Sequence, residues 1–438
     1  MFDRQKKGER AVLVLPHSRG EGDAARRADE FAELARSAGA EILATIAARV
    51  DVPNPRYYIG TGKADEIAEA ARALGADLVL VDHLLSPVQE RNLEKLLNVR
   101  VVDRAGLILD IFAQRARSHE GKLEVELAQL KHLATRLVRG WTHLDAQRGG
   151  AIGNRGPGET QLETDRRLLA ERVKMLTKRL EKVQTQRGQQ RRARLRNTVP
   201  RVALVGYTNA GKSTLFNALT EGEVFAADLL FATLDPTVRK LDGLSCGPAV
   251  LADTVGFVRD LPHDLVAAFR GTLAEARDAD LLLHVSDAAD EERERLASVV
   301  DGVLEEIDAG ELPQLRVMNK IDLAGLAPRI DRDEQGRPVT VWLSAATGIG
   351  LDLLRQALGE LLGGDRVQSE LRLPLSAGRL HARLKAAGAI AGEEVDEQGW
   401  RLNIDAPRSV IAPLSGGSAD EAALLRGLLG AAEEQTAL

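Results

Sequence analysis

RVALVGYTNAGKSTLFNAL (201–219) begins with a β-rich apolar run and ends in a helical pattern, with a glycine-rich turn between them. Gly206, Gly211, Lys212 and Ser213 match the phosphate-loop pattern G-x-x-x-x-G-K-[ST] in register. Glycines let backbone N–H groups converge on phosphates, and the start of the following helix adds a partial positive charge. The stretch predicts an α/β domain in which Lys212 reaches the β- and γ-phosphates and Ser213 binds Mg²⁺.

A chance glycine turn is the alternative for this stretch, but the turn lies between a strand and a helix, as a phosphate loop requires. A second glycine turn, IGTGK (59–63), is only a partial match. It has Lys63 but lacks the spacing and the Ser or Thr, so we interpret it as the first turn of a helix.

A carboxylate and a glycine follow the next predicted strand of this domain. In AVLADTVG (249–256), Asp253 stands where a carboxylate can hold magnesium through its water shell. Gly256 supplies a backbone N–H that can sense the γ-phosphate. The segment therefore adds a candidate magnesium ligand to the predicted phosphate-binding site.

The motif LRVMNKID (315–322) predicts that the base is guanine. It places Asn319, Lys320 and Asp322 after another strand. An Asp carboxylate accepts hydrogen bonds from N1–H and the exocyclic amine of guanine, whereas adenine would present an acceptor to it. The same motif argues against a phosphate-loop kinase, for which no phosphoacceptor pocket is recognisable.

WLSAATG (342–348) completes the predicted guanine pocket, since backbone amides of Ser344 and Ala345 can contact O6 of the base. Each short motif alone is weak evidence. Four of them in this order, each after a predicted strand, are specific for a domain that binds and hydrolyses GTP.

FATLDPT (231–237) lies between the phosphate loop and the Asp253 motif. A loop threonine that completes the magnesium shell only while the γ-phosphate is present makes such a loop a switch. By position we choose Thr233, whereas Thr237 fits an ordinary turn hydroxyl better.

These motifs give a set of candidate site residues. The candidate catalytic residues are Lys212, Thr233 and Gly256, and the candidate metal ligands are Ser213, Thr233 and, through water, Asp253. The predicted nucleotide contacts are Gly206, Tyr207, Thr208, Asn209, Ala210, Gly211, Lys212, Ser213, Thr214, Phe231, Ala232, Thr233, Leu234, Asp235, Asp253, Thr254, Val255, Gly256, Asn319, Lys320, Ile321, Asp322, Ser344, Ala345 and Ala346.

Phe257 follows DTVG at the position where many GTPases carry a glutamine that orients the attacking water. A phenyl ring cannot hydrogen-bond water. We therefore expect intrinsic hydrolysis near the ~10⁻⁴ s⁻¹ of an unassisted GTPase, unless a partner or another residue completes the site.

The composition is that of a globular protein, with 44% hydrophobic and 28% charged residues, and the 438 residues predict two to four domains. The single cysteine, Cys246, excludes an internal disulfide, and no Cys/His metal cluster is recognisable. No signal peptide or membrane-spanning run is recognisable, so we expect a cytoplasmic protein. The net charge of −6 indicates little, because only a local excess steers a polyanionic partner.

Four domains are predicted, namely 1–119, 120–197, 198–365 and 366–438. In the first, apolar runs alternate with helical patterns, which predicts a parallel α/β sheet. The third is the GTPase domain. The last combines a strand, a helix and a hairpin around DEQG in a small α+β module without a recognisable catalytic constellation.

An antiparallel helical hairpin is predicted for residues 120–187, because two apolar stripes repeat at alternating intervals of three and four. Their members are Leu123, Leu127, Leu130, Ala134 and Leu137 on the first helix, and Leu162, Leu169, Val173, Leu176, Leu180 and Val183 on the second. The second helix is expected to be about 25 residues long, or roughly 40 Å. The segment between them, at 140–161, is expected to be a glycine-rich tip, since its glycines and Pro157 do not continue either helix.

A basic run, RGQQRRARLR (187–196), follows the hairpin. In isolation it fits a solvated helix end or linker. The tip segment adds Arg148 and Arg155, and Trp141 could stack on a base, although a lone Trp is more often a packing anchor. The combination favours contacts with RNA.

Taken together, GYTNAGKST, FATLDPT, DTVGF, NKID and SAATG, preceded by GPGETQLETDRR (156–167), resemble the HflX-type GTPases of the Obg-related group. The resemblance covers about residues 10 to 365. It implies binding to the large ribosomal subunit and its rRNA, and dissociation or rescue of ribosomes under stress. It also implies an N-terminal domain docked on rRNA, a hairpin tip directed at the peptidyl transferase region, and a hydrophobic residue where Phe257 stands.

The resulting prediction is a Mg²⁺-dependent GTPase, with GTP as substrate and GDP as product, that binds ribosomes according to its nucleotide. We expect a monomer without a DNA partner or an integral membrane segment, and peripheral association with a membrane is left open. An alternative left open is a GTP-gated regulatory adaptor for a protein or membrane partner.

Overall fold

The computed structural model describes residues 8–18, 24–137, 157–194, 199–220, 230–231, 234–259, 273–363, 366–396 and 399–407, together with 411, 414, 424 and 425. Within these ranges the chain is an α/β protein with separate sheets in its N-terminal, GTPase and C-terminal parts. The expected fold class is confirmed. The described helices include none that is both long enough and apolar enough to cross a membrane.

The N-terminal sheet is parallel throughout, with its strands in the order β2-β1-β3-β4. Its elements are β1 (Arg10–His17), α1 (Ala24–Ser37), β2 (Glu41–Arg49), α2 (Thr61–Leu74), β3 (Leu78–Val81), α3 (Pro87–Leu97), β4 (Arg100–Asp103) and α4 (Arg104–Arg115). The apolar runs of β1 and β3 are buried along their length, as strands covered on both faces by helices must be.

The helical hairpin consists of α5 (His119–Leu137) and α6 (Pro157–Arg194). Leu123 and Leu127 pack on Leu176 in a cluster of their own, which matches the predicted apolar stripes. The prediction that the tip segment extends to residue 161 was wrong, because α6 begins at Pro157. The first helical position suits proline, whose missing N–H has no partner there and whose φ is already helical.

The helix α6 is also longer than expected, at 38 residues or about 57 Å. It includes most of the basic run, which is therefore the end of a helix and not a separate linker. The side chains of Arg191, Arg192 and Arg194 lie outside the described residues, as do Trp141, Arg148 and Arg155.

The GTPase sheet has the strand order β10-β11-β9-β8-β5-β7-β6, in which β6 and β10 run antiparallel to their neighbours. Its elements are β5 (Arg201–Val205), α7 (Lys212–Thr220), β6 (Thr237–Leu241), β7 (Ala249–Asp253), α8 (Ala274–Arg277), β8 (Leu281–Asp287), α9 (Arg293–Glu306), β9 (Gln314–Asn319), α10 (Ile321–Ala324), β10 (Arg329–Arg332), β11 (Pro338–Trp342) and α11 (Leu351–Gly363). The four predicted motifs follow β5, β7, β9 and β11. Parallel strands bring these carboxyl ends to one edge of the sheet.

The C-terminal part is an antiparallel sheet in the order β12-β14-β13, packed on one helix. Its elements are β12 (Arg366–Leu373), α12 (Gly378–Ala386), β13 (Ile390–Asp396) and β14 (Gly399–Pro407). Leu380 and Leu384 of the helix are buried with Leu402 and Ile404 of the sheet. This is the α+β module expected from the sequence.

One hydrophobic cluster is shared between the N-terminal and GTPase parts. Ile108 and Phe112 of α4 belong to it, together with Val258 and Leu282 from the GTPase part. The rings of Phe112 and Phe231 meet edge to face, with centroids 4.7 Å apart. Because these parts bury surface against each other, their contacts bear directly on the candidate site.

Candidate nucleotide-binding site

The phosphate loop joins β5 to α7 and has a backbone that requires glycine at two positions. Gly206 has φ +148°, and a Cβ there would lie 2.2 Å from the carbonyl oxygen of Val285. Gly211 has φ +90°, and a Cβ there would lie 2.2 Å from Nδ2 of Asn319. The loop therefore approaches β8 and the NKID motif so closely that any side chain would displace it.

Lys212 is the first residue of α7, and its ammonium group is turned back into the loop. Nζ donates to the carbonyl oxygens of Gly206, at 2.9 Å, and Tyr207, at 2.6 Å. Burial lowers the pKa of Lys212 to about 8, although the Asp253 carboxylate acts in the opposite direction. An anion bound next to Nζ would favour the charged form of Lys212 and so oppose the effect of burial on its pKa.

Ser213 and Asp253 lie side by side, as a shared magnesium site requires. The Ser213 hydroxyl donates to Oδ2 of Asp253 over 2.8 Å, and Asp253 is fully buried. The hydroxyl of the neighbouring Thr254 does not face this pair, because it donates a hydrogen bond to the carbonyl oxygen of Leu204 at 2.5 Å. The hydroxyl and carboxylate oxygens are hard ligands of the kind that Mg²⁺ prefers, so this pair fits the ion.

The DTVGF segment lies directly on the phosphate loop. A Cβ at Gly256 would lie 2.8 Å from Cγ2 of Thr208 and 3.0 Å from Nζ of Lys212. Phe257 exchanges backbone hydrogen bonds with the loop, from its N–H to Gly206 O at 3.2 Å and from Thr208 N–H to its carbonyl at 2.8 Å. Its ring is buried in the shared cluster, so a hydrophobic side chain occupies the position where a glutamine would otherwise stand.

Asn319 connects the predicted guanine pocket to the phosphate loop. Its Nδ2 donates to the carbonyl of Ala210 and its Oδ1 accepts from the N–H of Ala345, each at 2.9 Å. Lys320 has φ +64° and forms an ion pair with Asp287 at 2.9 Å. Asp322 is exposed, whereas the surrounding motif residues Asn319 and Ile321 are buried.

Most of the predicted nucleotide contacts therefore meet at one edge of the sheet. Those that the structure brings together are Gly206, Thr208, Asn209, Ala210, Gly211, Lys212, Ser213, Thr214, Asp253, Thr254, Val255, Gly256, Asn319, Lys320, Ile321, Asp322, Ser344, Ala345 and Ala346. Ala232 and Thr233 lie outside the described residues.

Four predicted contacts have side chains that turn to the N-terminal domain instead. Phe231 packs on Phe112, and Leu234 is buried in the shared cluster. The Asp235 carboxylate accepts hydrogen bonds from the backbone N–H groups of Arg117 and Ser118. The Tyr207 hydroxyl donates to Glu30. Their side chains are therefore engaged by the N-terminal domain, and that they contact the nucleotide stays a prediction.

Sequence reasoning missed a polar network between the two domains. Arg104 is buried and donates to Oδ1 of Asp82 at 2.6 Å, to Glu30, and to the backbone carbonyl of Arg259 at 2.9 Å. The Arg259 N–H is in turn bonded to the Tyr207 hydroxyl at 2.8 Å. The segment after DTVGF is thus held by both the phosphate loop and the N-terminal domain.

A cavity of about 360 Å³ lies between α1 and the phosphate loop. Arg26, Glu30 and Glu33 of α1 line one side, and Asn209 and Lys320 belong to the other. The N-terminal domain therefore forms a wall next to the predicted nucleotide site. No local pattern in the sequence indicates this arrangement, because it arises between segments that are distant along the chain.

Family models cover three consecutive parts of the chain. Those described as "GTP-binding GTPase N-terminal", "GTP-binding GTPase Middle Region" and "50S ribosome-binding GTPase" match residues 25–113, 115–194 and 201–320. A solved structure, the complex of SsGBP and GDP, is 25% identical with a TM-score of 0.47, over 81% of this chain and 98% of that one.

Two curated relatives are similar over almost the whole chain. GTPase HflX of Escherichia coli (strain K12) is 60% identical over 91% of this chain and 93% of its own length. GTPase HflX of Magnetococcus marinus is 44% identical over 95% of this chain and 96% of its own length.

The phosphate loop, the buried Asp253 and the guanine motifs at the ends of β9 and β11 define a P-loop GTPase. The similarity to the two curated relatives extends over more than nine tenths of the chain and identifies the family within this class of protein. The chain belongs to the HflX family of GTPases, as the sequence resemblance predicts.

Proposed function

We propose that this GTPase binds the large ribosomal subunit and its rRNA when it carries GTP, and that it dissociates or rescues ribosomes under stress. One observation carries the proposal. A phosphate and guanine site is joined in one chain to a helix of about 57 Å, and the sequence has five arginines between 187 and 196, four of them within that helix. The ribosome-binding description of the family model over 201–320 supports the same partner.

Side chains in the site have separable roles in the proposed reaction. Lys212 holds the β- and γ-phosphates, and Asp322 accepts from the guanine edge. Ser213, and Asp253 through water, would hold Mg²⁺, which when bound would neutralise charge on the phosphate oxygens. Gly256 lies close to the ammonium group of Lys212, which supports a role for its backbone N–H in sensing the γ-phosphate.

Turnover is proposed to depend on the partner, because the residue after Gly256 cannot orient water. Phe257 is held in place by backbone bonds to the phosphate loop and by burial of its ring. The large subunit would then supply or position the missing group. The intrinsic rate is expected near ~10⁻⁴ s⁻¹.

Sedimentation with purified large subunits tests the nucleotide dependence. The protein is compared in a non-hydrolysable GTP analogue, in GDP and without nucleotide, and hydrolysis is measured with and without subunits. We expect tighter binding with the analogue and faster hydrolysis with subunits. Equal affinity in the analogue and GDP would refute the switch, because a ligand without differential affinity shifts no equilibrium.

Salt dependence tests the contribution of RNA phosphates. Replacing Arg191, Arg192 and Arg194 by Ala should weaken ribosome binding. The slope of log K against log salt concentration should also become shallower, by roughly one for each phosphate contact that is lost. A matched control removes three surface arginines of the GTPase domain, Arg329, Arg332 and Arg337, which form exposed ion pairs. Binding that is insensitive to salt and to the first replacement would favour the adaptor hypothesis.

A further inference from the structure

The segment before β6 is held on both sides of residues 232–233 by the N-terminal domain. On one side, the N–H of Leu230 donates to the Ser37 hydroxyl over 3.1 Å, and Phe231 packs on Phe112. On the other, Leu234 is buried in the cluster that the two domains share. The segment that is predicted to respond to GTP therefore rests on a different domain.

Asp235 provides the polar part of this attachment. Its Oδ2 accepts from the N–H groups of Arg117, at 2.7 Å, and Ser118, at 2.8 Å. Its Oδ1 accepts from the Ser118 hydroxyl, which in turn accepts from the N–H of Gly121 at 2.9 Å. All three residues lie just before or within the first turn of α5, the helix that begins the hairpin.

Several features make this a close and charge-dependent contact. A carboxylate is favoured at a helix N-terminus by the partial positive charge of the exposed N–H groups. Hydrogen bonds to an ionised acceptor are stronger than neutral ones. A Cβ at Gly121 would lie 2.5 Å from Oδ1 of Asp235, so the absence of a side chain there permits the approach.

We infer that Asp235 is a positioning residue that couples the GTP-responsive segment to the first turn of the hairpin. A change in the segment when GTP replaces GDP moves Asp235 relative to Arg117 and Ser118, and so changes how the N-terminus of α5 is held. Coupling is reciprocal, so a partner bound to the hairpin changes the ratio of GTP to GDP affinity by the same factor. This inference rests on the proposed GTP-dependent response.

Hydrogen exchange of the full-length protein tests the coupling, with the GTP analogue and GDP compared for each variant. In the wild type, peptides covering 117–122 and the Gly256 segment should both differ between the two nucleotides. In Asp235→Ala, the difference at 117–122 should disappear while the difference at Gly256 remains. Ser118→Ala should give the same change to a smaller extent, and Asp235→Asn, which retains an acceptor, should restore part of it.

Binding to large subunits gives a second readout. The ratio of affinities in the analogue and GDP should fall about tenfold in Asp235→Ala, the size expected for losing hydrogen bonds to a charged group. In the double variant Asp235→Ala/Ser118→Ala the ratio should fall no further, because both replacements remove the same contact between Asp235 and Ser118. Arg26→Ala serves as the control, because it removes the ion pair with Asp290 across the same domain interface without touching this segment.

The outcomes separate the inference from the proposed function. If the wild type shows no exchange difference between the GTP analogue and GDP, and binds ribosomes equally with either nucleotide, the inference and the proposed function are both overturned. A wild type that responds at 117–122, with an unchanged response in Asp235→Ala, overturns the coupling through Asp235 alone. The same holds if Arg26→Ala abolishes the response as completely as Asp235→Ala does.

Discussion

The hydroxyl of Tyr207 donates a 2.5 Å hydrogen bond to Oε2 of Glu30, which joins the phosphate loop to the first helix of the N-terminal domain. The same hydroxyl accepts from the N–H of Arg259. Burial, and then the nearby Glu30 carboxylate, raise the pKa of Tyr207 well above its usual range, so that it stays a donor. One side chain of the loop thus contacts the neighbouring domain and the segment after DTVGF at the same time.

Tyr207→Phe and Glu30→Ala should each lower the free energy of unfolding, by about 1–3 kcal/mol, because the first removes the donor to Glu30 and the second removes the acceptor of Tyr207 and Arg104. The double variant should cost clearly less than the sum of the two, since they share one contact. Urea unfolding of the four proteins measures this coupling. Strict additivity would show that the hydrogen bond contributes nothing of its own.

Nucleotide affinity should decrease above pH 8 because of Lys212. Burial lowers the pKa of this amine to about 8, whereas bound phosphates favour its charged form, so binding at higher pH requires uptake of a proton. The dissociation constant for GDP should rise by up to about tenfold per pH unit above 8. Titration with a fluorescent GDP analogue at pH 7, 8 and 9 measures it.

Two variants and the unliganded protein check this assignment. Lys212→Ala should lose tight binding at every pH, and Lys212→Arg, which stays charged, should flatten the profile. Because its folded pKa lies below the ordinary 10.5, Lys212 lowers stability below pH 8, and the free protein should become more stable between pH 8 and 10.5. A wild-type affinity that is constant from pH 7 to 9 would contradict the shifted pKa.

Phe257→Gln should not produce a fast GTPase, despite restoring the residue type found at this position in many GTPases. The ring is 1% exposed in the cluster shared by the two domains, so the replacement buries an amide there. We expect a loss of about 2–4 kcal/mol in unfolding free energy and no large gain in single-turnover hydrolysis. Phe257→Leu, the apolar control, should cost about 1 kcal/mol. A large gain in rate for Phe257→Gln would show that the side chain can leave the core and reach water.

Asp322→Asn should weaken GTP binding and favour xanthosine triphosphate. The amide of Asn donates where the carboxylate accepted, and xanthine presents a carbonyl at the position of the guanine amine. Competition of both nucleotides against a labelled probe measures the preference. If discrimination is unchanged, the base does not bind next to Asp322.

The sequence predicted those features that depend on local patterns. Apolar runs gave the strands, the three-and-four spacing gave the packed stripes around Leu176, and the motif order placed Lys212, Asp253 and Asn319 at one sheet edge. It did not predict the direction of Tyr207 or Asp235. Their positions in nucleotide-binding motifs suggested a ligand, but their side chains bond to residues 177 and 117 positions away along the chain.

The shared cluster around Phe112 and Phe231 has a consequence for how the protein can be divided. A cut near residue 198, the predicted start of the GTPase domain, would leave Phe231, Leu234 and Val258 with their apolar surface facing water. Such a fragment would tend to aggregate, and its GTPase activity would differ from that of the full-length protein. Chimaeras between relatives should therefore exchange residues 8–363 as one block and place the junction at the short connection before β12.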